Sequence, residues 1–140
     1  MTEIEQTECN RIYCRHGISH SLDVARIAYI IVLEKGLDIS KDLIYATAIL
    51  HDIGRCQSNK DHNVYSVELA EKILNQCNYS KDDITLILDA VYSHRNLCEN
   101  LQTLSDIIKY ADKISRNCFN CKAYDTCYWD EDRKNKKLIY

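Results

Sequence analysis

Apolar positions along the chain recur in blocks spaced as on one face of a helix, with short polar loops between them, and divide the sequence into about six helical segments. The first, Thr2 to about Tyr13, is short and polar. Ser19 can cap a stronger one, in which Leu22, Val24, Ile27, Ile30, Ile31 and Leu33 form a broad apolar face closed by Gly36. Ser40 caps Lys41 to His51, where Leu43, Ile44, Ala46, Ala48, Ile49 and Leu50 leave almost no polar face, so this helix should be central. Asp61 or Asn63 opens a helix running to about Cys77. Ser80 followed by Asp83 resembles a capping box and starts Lys81 to about His94. A last helix begins near Thr103 or Ser105 and ends around Arg116. The expectation is an all-α, compact bundle of about six helices over residues 1–117, with a cysteine- and aromatic-rich tail, 118–140, packed on it and ending in the charged run Asp130 to Lys137.

Composition supports this. The chain has 140 residues, no proline and three glycines, which disfavours a sandwich or barrel of many short strands. A net charge of -3 argues against general nucleic-acid binding, although basic residues could still gather at one site. No apolar run approaches the roughly 20 residues of a membrane span, and the acidic start Met1-Thr2-Glu3-Ile4-Glu5-Gln6 has no signal-peptide pattern. A cytoplasmic protein without membrane contact is expected. In that compartment the eight cysteines are better explained by metal ligation or burial than by disulfides.

The candidate chemistry lies where polar residues interrupt these apolar faces. In "AILHDIGR" a nearly all-apolar helix ends in His51 and Asp52, two side chains that are costly to bury without partners. His20 shares a face with Val24, Ile27 and Ile31. His62 starts its helix, His94 ends the next, and Asp112 lies among Ile107, Ile108, Ala111 and Ile114. Imidazole and carboxylate donors suit zinc, iron and manganese, and five helices each carrying one are hard to explain as separate core residues.

The ordered set "HSLDVARIA", "ILHDIGR", "HNVYSVELA", "AVYSHR" and "YADKISR" resembles the HD superfamily of metal-dependent phosphohydrolases from about Arg15 to Arg116. The pattern is most like the bacterial HD hydrolases of diadenosine tetraphosphate, in a small clostridial-type form with a cysteine tail. The resemblance implies a first metal held by His20, His51, Asp52 and Asp112. It implies a second held by His62 and His94, with Asp52 bridging. One or two divalent transition-metal ions, iron or manganese favoured over zinc, would activate water against a small-molecule phosphoester, a nucleotide or a related compound, as a phosphomonoesterase or phosphodiesterase. Arg55 and Lys113 are candidate catalytic cations. Arg55, Arg95, Arg116 and His16 are candidate substrate-binding residues, His16 alternatively lying behind the metal ligands. Two other readings stand beside this one: a di-iron oxygenase of the same fold, and a non-catalytic module sensing metal or redox state.

Finally, "CFNCKAYDTC" sets Cys118, Cys121 and Cys127 in a CxxC-x5-C pattern. Three thiolates at this spacing suit zinc or an iron–sulfur cluster, either of which takes four ligands. Cys14 is the first candidate for the fourth, Cys9 the second. The competing explanation is that these are buried free thiols.

Overall fold

The third helix organises the molecule, and its sequence shows why. In the computed structural model, which describes residues 1–58, 60–93 and 100–140, helix α3 (Lys41–Leu50) is capped by Ser40, whose hydroxyl accepts the Leu43 N–H. It presents Ile44 and Ala48 to one apolar cluster and Leu50 to another. The first cluster joins α3 to α2 (Ile18–Lys35) and α6 (Leu104–Ile114) through Val24, Ile27, Ala28, Ile31, Ile107, Ile108 and Ala111. The second joins it to α4 (His62–Gln76) and α5 (Lys81–Ser93) through Ala70, Leu74, Ile84, Ile87 and Val91. A short α1 (Thr2–Thr7) and two 3₁₀ turns, Ile53–Cys56 and Cys118–Asn120, complete the described elements, all of them helical.

The locally encoded ends form as the sequence predicts. Gly36 takes a left-handed conformation, φ 62°, and closes α2 with Leu37 N–H on Val32 O at 3.0 Å. Ser80 and Asp83 pair reciprocally at α5, and Thr103 caps α6 at the Asp106 N–H.

Two N-terminal expectations are corrected. Helix α1 stops at Thr7 rather than Tyr13, and α2 starts at Ile18 behind Gly17, leaving Ser19 inside the helix without a capping role. Both shifts have one cause. Glu8 leaves the helical path and buries its carboxylate against His16, taking the His16 backbone N–H at 2.8 Å. That tertiary bond satisfies a buried amide of the loop between the two helices. The buried face of α2 is also rotated from the expected stripe: Ala25, Ala28 and Val32 are inside, while Ile30 and Leu33 are exposed.

Candidate metal centre

Five elements deliver polar side chains to one point. His20 comes from the first turn of α2 and His51 caps the end of α3. Asp52 opens the first 3₁₀ turn, His62 opens α4 and Asp112 sits in the last turn of α6. His51 Nε2 lies 3.3 Å from Asp52 Oδ2 and 3.9 Å from Asp112 Oδ1. His20 Nε2 is 3.0 Å from Asp112 Oδ1, and His62 Nε2 is 3.1 Å from Asp52 Oδ1. The donor atoms of His20, His51 and Asp52 all lie within 4.8 Å of one another.

Gly54 makes this convergence possible. A β-carbon there would collide with the His62 carbonyl oxygen and the Ser66 amide, so only glycine lets the 3₁₀ turn press backbone-to-backbone on the start of α4. The Gly54 N–H donates to Ser66 Oγ at 2.8 Å and locks the contact. The histidine–aspartate pair and His62 are thereby held on adjoining surfaces.

The imidazole rings are oriented by their far nitrogens. His51 Nδ1 donates to the Ala48 carbonyl at 2.7 Å, and His16 Nδ1 to Glu8 Oε1 at 2.7 Å. Ser115 Oγ donates to the Asp112 carbonyl, so at 3.3 Å it accepts from His20 Nδ1. These partners assign the proton of each neutral ring to Nδ1 and turn the Nε2 lone pair inward. In the neutral rings of His16 and His20 the lone pairs would then face carboxylate oxygens across 3.0–3.7 Å. Two acceptors at such range repel unless positive charge lies between them. His20 Nε2 is buried and out of line for a hydrogen bond despite its 3.0 Å approach to Asp112.

Electrostatics expresses the same demand. Burial pushes His16 down to about 2 and lowers His20, so both rings stay neutral at pH 7. Burial also works to lower His51, but the charge and hydrogen bond of Asp52 outweigh it and the pKa ends raised. For Asp52 burial is opposed by His51, His62 and Arg55, which hold the carboxyl well below the usual range. For Asp112 it is opposed by Arg116, His20 and His51, with the same direction. A pair of ionised carboxylates amid inward lone pairs is a donor set that fits a divalent transition-metal ion.

The basic candidates divide. Arg55 Nε lies 2.8 Å from Asp52 Oδ1, and its Nη2 donates to His62 Nε2 at 3.3 Å. Arg116 Nη2 donates to Asp112 Oδ1 at 2.8 Å. Lys113 is exposed; one residue on from Asp112 it points about 100° away around the helix, and its side chain has no contact with the centre among the described residues. His94 and Arg95 lie outside the described residues. His16 is buried with Nε2 3.7 Å from Asp52 Oδ2, beside the ligand atoms and not at a solvent-facing mouth. Sequence reasoning missed Glu8 and Ser115, which hold two of the rings. It also missed Arg15, which with Arg116, His20 and Asp23 borders an open cleft of about 230 Å³ leading in from solvent. Asp112 keeps 25% of its side-chain exposure beside that cleft, whereas His51 has none.

Comparison with known proteins places this geometry. The HD domain family matches residues 17–117. An uncharacterized protein of Clostridium beijerinckii is 38% identical over 136 residues, covering 95% of this chain and 85% of its own length. Ribonuclease Y of Mycoplasma mycoides is 31% identical over 106 residues, covering 74% of this chain, and its counterpart in Staphylococcus epidermidis is 28% identical over the same span. The chain corresponds to only 23% and 18% of those two enzymes. No solved structure matches significantly. Since the family match begins three residues before His20 and ends five after Asp112, spanning every described residue that meets at the centre except His16, this chain belongs to the HD-domain superfamily of metal-dependent phosphohydrolases.

Proposed function

We propose that this chain hydrolyses a nucleotide or related phosphoester at the histidine–aspartate centre. The observation that carries the reading is Asp52, whose two oxygens are approached from opposite sides: Oδ2 by His51 and His16, Oδ1 by His62 and Arg55. A carboxylate so placed suits a bridging role. His20, His51, Asp52 and Asp112 would hold one divalent ion, iron or manganese, and His62 with His94 a second. Ions bound there supply a low-pKa water and neutralise phosphoryl charge.

The chain's own groups do the rest. Asp52 and Asp112, both depressed, stay ionised at neutral pH and cannot act as acids. In this reading the departing oxygen takes its proton from solvent at the cleft. Arg15 and Arg116 line that cleft, and guanidiniums pair with phosphate oxygens in fixed, forked geometry. Arg55 sits deeper, where it orients Asp52 and His62 and can reach a bound phosphoryl oxygen. Such positioning and charge compensation account for most of the catalysis of phosphoryl transfer. The name ribonuclease Y adds an RNA phosphodiester to the substrates worth testing.

The test is metal analysis of protein purified without oxygen, followed by turnover of nucleoside phosphates, dinucleoside polyphosphates and short RNA. Asp52→Ala should lose metal and turnover together. Arg55→Ala should keep metal while lowering kcat/KM about 10²-fold, the scale of one lost charge-stabilising group. Full metal content and turnover in Asp52→Ala would falsify the assignment.

A further inference from the structure

Four cysteines from opposite ends of the chain meet outside this centre. Cys14 comes from the loop before α2, and Cys118, Cys121 and Cys127 from the segment after α6. With Tyr13, Tyr124 and Lys134 they line one cavity of about 20 Å³. Packing alone explains Cys118, which is buried, but not Cys121, which is exposed. Nor does packing explain the backbone of Cys14. Its φ of 42° lies in the left-handed region that a β-carbon resists. Its neighbours hold it there: Tyr13 donates to the Thr126 carbonyl at 2.8 Å, and Arg116 to the Arg15 carbonyl at 3.4 Å. The strained residue is the one that brings a fourth thiol to the other three.

We propose that Cys14, Cys118, Cys121 and Cys127 form a four-thiolate site for a single zinc ion that fastens the C-terminal segment to the N-terminal loop. Size favours one ion over an iron–sulfur cluster, since the cavity has room for about one water-sized occupant. Charge favours a cation. Four thiols around one small cavity are the donor set that zinc takes up as thiolates, with the ion's charge offsetting theirs. Four thiolates on zinc leave a double negative charge, and two cations border it, Lys134 also paired with Glu131 and Arg116 with Asp112. Lys134 lies over the Tyr124 ring at 4.3 Å on the cavity wall, and Arg116 is close enough to act on Cys14.

The thiols are not yet at ligand spacing: among the described residues, only His20, His51 and Asp52 bring three donor atoms within 4.8 Å. Zinc at about 2.3 Å from each sulfur would draw them inward and release their protons. The site is structural, with all four positions filled by protein. It nevertheless adjoins the catalytic centre, because His16 follows Cys14 by two residues and Arg116 precedes Cys118 by two.

Cobalt(II) reports this site independently of the histidine–aspartate centre, because only thiolate ligands give intense sulfur-to-metal charge transfer in the near ultraviolet. One equivalent of cobalt or zinc should bind the full chain with that signature and persist in Asp52→Ala. Cys121→Ser, at an exposed position, should abolish the signature and the zinc equivalent. It should also leave residues 118–140 open to limited proteolysis in the presence of zinc. Cys77→Ser, exposed at the far end of α4, should change nothing. The proposal fails if the wild-type chain shows no thiolate-bound metal, if Cys121→Ser retains it, or if iron with labile sulfide is found at these cysteines.

Discussion

Glu8 shows how much a single residue can do for a centre to which it contributes no ligand. One carboxylate oxygen takes the His16 backbone N–H and the other takes the His16 ring, and Arg11 lies 3.4 Å from the latter. Both partners of the ring contact are 3% exposed, so its loss is not made good by water. Glu8→Gln keeps the shape but exchanges a charged acceptor for a neutral amide. A hydrogen bond to a charged group contributes about 1.5–3 kcal/mol, and the variant should lose stability on that scale in denaturant titration. Because His16 lies beside the metal ligands without being one of them, metal affinity should fall by less than the roughly 10–100-fold that follows when a ligating histidine loses its partner. Unchanged stability and affinity would mean that the pair is incidental. No sequence signal singles out Glu8, because its partner is eight residues away across a loop whose path is set by the fold. His20, His51, Asp52 and Asp112 were legible because each interrupts an apolar face at helical spacing. Which nitrogen of each ring faces inward was not, since Ala48, Ser115 and Glu8 decide it in three dimensions.

Among the elements, the 3₁₀ turn Ile53–Cys56 governs how α3 and α4 meet. Its glycine lies against the backbone of α4, so an added methyl must displace main chain and cannot be absorbed by a flexible side chain. Overpacking of this kind costs about 1–3 kcal/mol, occasionally more. Gly54→Ala should therefore destabilise the protein by at least that amount. It should weaken metal binding as well, because the shift separates Asp52 from His62. A variant that melts like wild type would show that α4 moves freely away. Legibility follows the same division between local and distant causes. The ends at Gly36, Ser40, Ser80 and Thr103 are set by groups within a few residues and were read correctly. Glu8 to Tyr13 falls within the expected first helix but belongs to the loop, because the bonds of this loop run to Glu8, Thr126 and Arg116 and leave no periodicity.

For the molecule as a whole, the tail after α6 bears on the centre through one amide. Asn135 Nδ2 donates at 2.8 Å to both the Lys113 and the Arg116 carbonyls, closing the end of α6 just beyond Asp112. Helix ends left without such partners fray. Asn135→Ala should cost about 1 kcal/mol, the scale of a lost cap, and should raise KM through looser placement of Arg116, with metal content preserved. An identical KM would detach the tail from the site. This contact also orders events during synthesis. His20 is made early, Asp112 late, and Asn135 later still. At about 5–20 residues per second, a nascent chain carries all its ligand residues for a second or more before the residue that ties down their last helix exists. This contact therefore cannot close the end of α6 until residue 135 has been added, after every residue proposed to bind metal has been made.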